Sequence, residues 1–470
     1  MKTQKLVSYF LFFFFTVSFV YSQNPQLCGM TSTGGTNDMG TIFKINGDGT
    51  GFVSLYSFNT PTGTYPNGSI LRASDGKLYG MTFNGGLNNL GVLFSFDLSS
   101  NTYTDLYDFD GTHGSAPRGS LIQAIDGKLY GMTRLGGANN FGAIFSYDIS
   151  TNSYTDTYDF DGTHGRGPYG SLIQANDSNF YGMTYQGGTH NDGVVFSFDA
   201  SNNAFTDLYD FDGTNGHHTQ GTNLMQASNG KLYGMTTLGG SSAGVLFSID
   251  PSNNVHTTLL NFVPLSGQKP HGSLIEDGSG FLCGTMYEGG VGTTHGTLFS
   301  YNISTNSMAL FHNFMYVTGA DPYGSLIKAS DGSFYGMTNS GGADSSGVIF
   351  KYDPFNGYFD LFDFNGINGS QPLGDLVELI TTVDVDGHLP EQNQLCTYPN
   401  PSHNSFVIRN GTTSDKLEMK IINMLGKIVY SEKLVGKKEY LIQPNLSAGV
   451  YLLQLDNGEK RKVQKLVIEL

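Results

Sequence analysis

The residues in this chain best suited to chemistry are paired aspartates followed by glycine and histidine. Tyr107-Asp108-Phe109-Asp110-Gly111-Thr112-His113-Gly114 returns as Tyr158 to Gly165, carrying Asp159, Asp161 and His164. It returns again as Tyr209 to Gly216, with Asp210, Asp212 and Asn215 in the place of histidine. A weaker copy is Asp363-Phe364-Asn365-Gly366. Carboxylates two apart with glycine beside them can offer hard oxygens to Ca2+, so calcium is one expectation at Asp108, Asp110, Asp159, Asp161, Asp210 and Asp212. The EF-hand pattern also needs a third ligand and a distal glutamate, and both are missing. The plainer expectation is a strand end and a turn, where Asp and Gly are favoured for backbone reasons.

Histidines 113, 164, 190, 217, 218, 271 and 295 fall in loops. No His-Glu-x-x-His or other helical metal spacing occurs. His217-His218 could ligate a metal, although solvated loop residues are the plainer reading. No Gly-x-Ser-x-Gly elbow is present. The Gly-Gly pairs do not open helices, so they are not phosphate cradles. A carboxylate pair for glycoside hydrolysis would have to be assembled from loops of several segments. Tyr65, Tyr169, Tyr185, Tyr287 and Tyr323 also sit in loops, which mostly face solvent. Tyr169 and Tyr323 share one position, just ahead of Gly-Ser-Leu. Exposed aromatics beside polar loop residues suit a sugar platform, so Tyr169, Tyr323, His113 and His164 are the candidate ligand-binding residues.

These loops are spaced by a repeat. The glycine of a Gly-Met-Thr core stands at 29, 80, 131, 182, 234, 284 (as Gly-Thr-Met) and 336, and a Gly-Gly pair follows each copy. Seven copies about 51 residues apart mean a repeat architecture. In the unit from Gly119 to Gly170, Ser120 to Ala124 reads as a strand and Asp126-Gly127 as a two-residue type I′ hairpin turn. Leu129 to Thr133, Ala143 to Tyr147 and Tyr154 to Phe160 read as three more strands. Four antiparallel strands per unit is a propeller blade. The first unit starts at Leu27 without a Gly-Ser-Leu-Ile strand, while Gly374 to Leu379 after the seventh unit matches that strand. The far end of the chain is therefore expected to complete the first blade and remove an open sheet edge. The expectation is an all-β protein: a seven-bladed β-propeller of four-stranded blades over 23–380, then a small C-terminal β-sandwich.

Composition agrees. Charged residues are 14%, Trp is absent, and Tyr with Phe supply the aromatic core. The net charge of -16 is uneven: residues 23–380 hold 11 Lys+Arg against 30 Asp+Glu, and 394–470 hold 11 against 7. Such a break marks a domain boundary. The acidic main domain argues against nucleic acid and against an anionic membrane surface. Residues 1–22 read as a signal peptide, with Lys2 and Lys5 ahead of a short apolar run. No other run of 18 apolar residues exists, so no transmembrane segment is expected in the mature chain. Cys28 and Cys283 share a repeat position in non-adjacent blades, so no bridge is expected; Cys396 is the third cysteine.

The Tyr-Gly-Met-Thr, Gly-Gly and Gly-x-x-Phe-Ser-Tyr-Asp pattern resembles the GloVer tandem-repeat family of bacterial extracellular proteins in all seven copies. It is similar, more distantly, to kelch-type propellers, from which it departs in lacking their Trp. By that likeness the Ser-Leu-Ile strand would be innermost. No activity follows from either likeness.

Residues 381–393 form a polar connector. In 394–470, six or seven alternating strands read as a β-sandwich. Tyr398 to Pro401, Asn423-Met424-Leu425-Gly426-Lys427, Leu446 to Tyr451 and Lys465 to Ile468 resemble the type A C-terminal sorting domain of the type IX secretion system. The resemblance implies a sorting signal at Pro399, Asn400, Pro401, Gly426, Lys427, Gly449, Tyr451 and Lys465. It also implies engagement of the type IX machinery, and export across the outer membrane of a Bacteroidota-type cell. The functional expectation is a non-catalytic extracellular or cell-surface propeller that binds glycan or protein. The alternatives are a polysaccharide hydrolase or lyase with its site over the channel, and a structural surface component.

Overall fold

The computed structural model describes residues 24–379 and, beyond them, 396–398, 406–409, 417–423, 427–434, 439–444, 446–447, 449–456 and 461–468. The proposed signal peptide, the connector 381–393 and the sorting residues Pro399, Asn400, Pro401 and Gly426 lie outside these residues. The chain divides into two compact units, one ending at Ile380 and the other beginning at Thr381.

Seven four-stranded antiparallel sheets build the first unit. In blade three the strands are Ile122–Gln123, Leu129–Thr133, Ala143–Asp148 and Ser153–Asp159, from the inside outward. Blade one takes its innermost strand from the far end of the propeller. Val377–Glu378 pairs with Cys28 and Leu27, and the Leu379 N–H donates to the Gln26 carbonyl at 2.7 Å. The innermost strands are shorter than expected: only two residues of each join the ladder. Their flanks do other work, because Gly119-Ser120 and its equivalents reach sideways to the next blade.

That reach closes the ring. The Ser69 N–H donates to Ser120 Oγ at 2.7 Å, Ser120 to Ser171 Oγ at 2.7 Å, and Ser171 to Asn223 Oδ1 at 2.5 Å. Asn223 donates to Ser273 Oγ at 2.9 Å, Ser273 to Ser325 Oγ at 2.8 Å, and Ser325 to Asp375 Oδ1 at 2.5 Å. Asp375 then donates to Ser69 Oγ. The neighbouring glycines are required by this closeness: a Cβ on Gly119 would overlap the carbonyl oxygen of Gly170, and one on Gly374 that of Gly68.

The blades also stack through aromatic pairs between outer strands. Tyr107 lies on Tyr154 with centroids 3.8 Å apart, Tyr158 on Phe205 at 4.3 Å, and Phe362 on Phe52 at 4.1 Å across the closure. Such pairs contribute about 0.5–1.5 kcal/mol each beyond the burial of area. Cys28 and Cys283 are buried free thiols, both pushed up to about 12 by burial.

The Asp-Gly turns differ from the type I′ expectation. The Gly76 N–H bonds the Ala73 carbonyl and the Ala73 N–H bonds that of Lys77, with only Gly76 at positive φ (85°). This is a three-residue loop, a type I turn closed by a glycine bulge. Asp75 favours it by accepting the Lys77 N–H at 3.1 Å.

The second unit has a three-stranded sheet, Cys396–Tyr398, Phe406–Arg409 and Glu439–Ile442. Its four-stranded partner orders Ile428–Leu434, Leu417–Asn423, Gly449–Asp456 and Arg461–Ile468. Phe406, Ile408 and Ile442 of the first share a core with Met419, Leu453, Leu466 and Ile468 of the second, which is a β-sandwich.

Candidate functional site

Each blade presents two ends. One carries the turns between the two inner strands, Asp-Gly in four blades and Asp177-Ser178 and Asn229-Gly230 in two others. At the other end, the chain leaving the outermost strand enters the next innermost strand beside the loop that follows Gly-Met-Thr, and here the repeat stops being uniform. The residue two before each ring-closing donor is Asn67, Arg118, Tyr169, Gly221, His271, Tyr323 and Leu373 in turn; the residue between is glycine except for Thr222. All seven line one chamber at the mouth of the central channel. The chamber is about 40 Å³, room for a few waters at most.

One side of the mouth is a column of flat groups. The Arg118 guanidinium carbon sits 4.6 Å from the Phe83 ring centre and 4.8 Å from that of Tyr169. Arg134 lies 4.8 Å from the same Tyr169 ring. Tyr169 contacts Tyr185 at 4.8 Å, and Tyr185 stacks on His218 at 4.5 Å. Arg118 Nε is enclosed without a hydrogen-bond partner, as is Arg166 Nε. Arg118, Arg134 and Arg166 are three of the propeller's four arginines. None is within ion-pair distance of a carboxylate among the described residues.

Across the mouth, His271 stacks on Tyr323 at 4.4 Å and meets Tyr287 edge-on at 4.8 Å. Burial pushes the His271 imidazole down to about 4, so it is neutral. Its Nδ1 lies 3.0 Å from the Gln220 carbonyl. The Nδ1 atom therefore carries the proton, leaving Nε2 as an acceptor. The lone carboxylate among the described lining residues is Asp375, whose Oδ1 is held by the Ser325 N–H.

The expected site residues divide. Tyr169 and Tyr323 are at the mouth. His113 and His164 are exposed turn residues away from the channel lining. The His113 N–H and Nδ1 both lie 2.8 Å from the Asp110 carboxylate, and His164 repeats this with Asp161. Burial opposes ionisation of Asp110, but the His113 amide and imidazole outweigh it and hold the carboxyl below its usual range. The Asn215 N–H bonds Asp212 in the same way at 2.9 Å.

Asp108, Asp159 and Asp210 face a different place. Each accepts the first amide after its own Gly-Gly pair, from Leu87, Ala138 and Thr189 at 2.7, 3.0 and 2.7 Å. Blades without this aspartate keep an acceptor there: Asn313 takes the Val291 N–H at 2.8 Å and Ser57 that of Thr36 at 3.4 Å. The two aspartates of each pair thus close two different turns, and they gather no third acidic or histidine ligand among the described residues.

In the sandwich, Lys427 and Tyr451 are tied to turns. Asn423 Oδ1 accepts the Lys427 N–H at 3.0 Å, and the Tyr451 hydroxyl donates to the Ser447 carbonyl at 2.9 Å. Gly449 opens the strand that pairs with the last one.

Comparison with known proteins agrees with this architecture. Residues 397–469 match the secretion system C-terminal sorting domain, so the chain is exported by the type IX route to the cell surface or extracellular space. No curated protein matches the chain. Among solved structures, a 6-phosphogluconolactonase candidate from Bacteroides fragilis aligns at 13% identity, covering 75% of this chain and 98% of its own, with a TM-score of 0.51. TolB from Acinetobacter baumannii aligns at 15% identity over 61% of this chain, with a TM-score of 0.40. This chain spans 63% of the TolB chain. At such identities the likeness is one of fold, a β-propeller. The Gloeobacter/Verrucomicrobia repeat model matches residues 17–243 and 217–383, and the chain belongs to that repeat family.

Proposed function

We propose that the exported propeller is a non-catalytic binding module whose channel mouth takes an acidic glycan, a saccharide bearing carboxylate or sulfate groups. The observation that carries this reading is Arg118, whose guanidinium carbon lies over both the Phe83 and Tyr169 rings, with no carboxylate within ion-pair distance among the described residues. Three arginines on one face of an otherwise acidic ring make a local positive patch, and planar guanidinium donors suit carboxylate and sulfate oxygens. Tyr169 and Tyr323 line the same mouth with their ring faces stacked on arginine and His271, so a sugar would meet their edges and hydroxyls. The shallow chamber and the engaged Asp375 carboxyl favour holding a ligand over cleaving it.

The test is a glycan array with the exported protein, run beside a polysaccharide-degradation assay. Saturable binding confined to uronic-acid or sulfated glycans, weakened by Arg118→Gln, supports the reading. Binding of neutral glycans alone removes its acidic part, and turnover of any polymer replaces it with the hydrolase or lyase alternative.

A further inference from the structure

A second cluster lies beside the arginine column, in loops where the repeat is otherwise unremarkable. Asp192, His217 and His218 bring one ligand atom each to within 4.8 Å of the others, and they form the one such trio of acidic, histidine or cysteine residues among the described residues. Adjacent histidines on an extended chain point to opposite sides. Here His218 has φ 56°, a left-handed kink that every blade has at this position, for example Tyr65 at 57° and Lys269 at 53°. The kink swings the two rings together, with centroids 4.6 Å apart.

Backbone bonds hold all three ligands. The His218 N–H donates to the Asp192 carbonyl at 3.2 Å, and His217 exchanges backbone bonds with Leu238 at 2.9 and 3.2 Å. Stacking on Tyr185 at 4.5 Å fixes the His218 ring. His217 Nδ1 is enclosed and has no hydrogen-bond partner, and such an atom calls for one. The same backbone bond locates the equivalent residues elsewhere. They are Met39, Thr64 and Tyr65 in one sector and Leu90, Ser115 and Ala116 in the next. The fold thus provides the geometry in every sector and the ligands in one.

We propose that Asp192, His217 and His218 bind a borderline divalent transition metal, with Zn2+ as the natural occupant. Two imidazoles and one carboxylate suit zinc and its neighbours, whereas calcium and magnesium take oxygen donors. Zinc holds such ligands at about 2.0–2.2 Å, so binding draws the three atoms inward from their present spacing. Three protein ligands would leave one position of a four-coordinate zinc open.

The test uses the full-length exported protein, stripped with chelator and titrated with ZnCl2. One zinc per chain by elemental analysis after gel filtration is expected, with a rise in the melting midpoint that Ca2+ does not reproduce. Asp192→Asn and His218→Gln should each weaken zinc at least 10-fold, while His113→Gln leaves it unchanged. Cobalt(II) loaded into the parent should give a visible spectrum of fewer than six nitrogen and oxygen ligands, a readout that needs no variant. Absence of stoichiometric zinc in the parent, a cobalt–thiolate band, or parental affinity in both Asp192→Asn and His218→Gln would overturn the site.

Discussion

The backbone N–H of Asp375 donates to the Ser69 hydroxyl at 2.7 Å, joining residues 306 positions apart. It is the last of seven such bonds, and the residue that makes it is the odd member. Five positions of the ring are serine and one is asparagine; this one is a carboxylate. Its oxygens are enclosed by the ring, although part of the residue faces the narrow channel. Burial raises the Asp375 pKa above that of an ordinary carboxyl, against the opposing pull of Ser325 and Ser69.

The sign of the pH effect follows. An unfolded aspartate ionises near 3.8, while in the folded ring ionisation is resisted. Stability is therefore greatest below the unfolded value and falls as pH rises towards the folded one. Asp375→Asn keeps an oxygen for the Ser325 amide and removes the charge. It should melt higher than the parent at pH 7.5, and the gain should shrink at pH 4.5. Thermal melts at the two pH values decide this; a gain independent of pH would show that the charge is not what matters.

Much of this arrangement was legible in the sequence. The seven cores, the missing first strand and the match of Gly374 to Leu379 with Gly119 to Leu121 are local patterns, and the pairing of Val377 with Cys28 follows from them. Tyr169 and Tyr323 were recognisable as sharing a position. Arg118, His271 and Asn67 stand at the same position, but they differ in type, and a search for recurrence passes over the place where recurrence fails. Asp192 was beyond reach, because it stands 25 positions before His217 and is brought to it by a loop-to-loop backbone bond from the His218 N–H. The paired aspartates read most plainly as a strand end and a turn, and they stand in such turns. They recur because the turn recurs, as the retention of an acceptor at Asn313 and Ser57 makes plain.

Two histidines occupy aromatic stacking positions between blades. His256 lies on Tyr209 at 3.8 Å and His312 on Tyr358 at 3.9 Å, where four other junctions pair two phenyl or phenol rings. Burial pushes both imidazoles down to about 4, with Asp212 pulling His256 back only slightly, and the Nε2 atom of each is enclosed without a partner. Both are neutral in the folded protein and titrate near 6.5 when unfolded. Their contribution is intact above 6.5 and is lost as pH falls from there to about 4. The double substitution His256→Phe with His312→Phe should raise the melting midpoint, and more at pH 5 than at pH 7.5. An equal or smaller gain at pH 5 would contradict the assignment.

The sorting sandwich makes a prediction about location. Its final strand, Arg461–Ile468, pairs along its whole length with Gly449–Asp456 and sends Leu466 and Ile468 into the core. Deleting 394–470 should leave the protein in the periplasm, detected by fractionation and immunoblot. Leu466→Asp should do the same, because a buried unpaired carboxylate costs several kcal/mol. Surface display of either variant at the parental level would show that export does not depend on the folded sandwich.

The proposed glycan site depends on the shape of Arg118 as well as on its charge. A guanidinium can stack on the Phe83 and Tyr169 rings while its edge donates to an anion, whereas a lysine ammonium keeps the charge but cannot stack as a plane. Arg118→Lys should therefore weaken binding of an acidic glycan about 10-fold, close to the effect of Arg118→Gln, which is about 1.4 kcal/mol. Tyr169→Phe should retain most of the affinity, since the ring face against Arg118 is preserved, and Tyr169→Ala should lose it. Binding should fall between 50 mM and 500 mM salt, as screening of an exposed charge pair requires. Isothermal titration with a uronic-acid oligosaccharide checks all five. Full affinity in Arg118→Lys would reduce the column to a point charge, and full affinity in Arg118→Gln would move the ligand elsewhere on the ring.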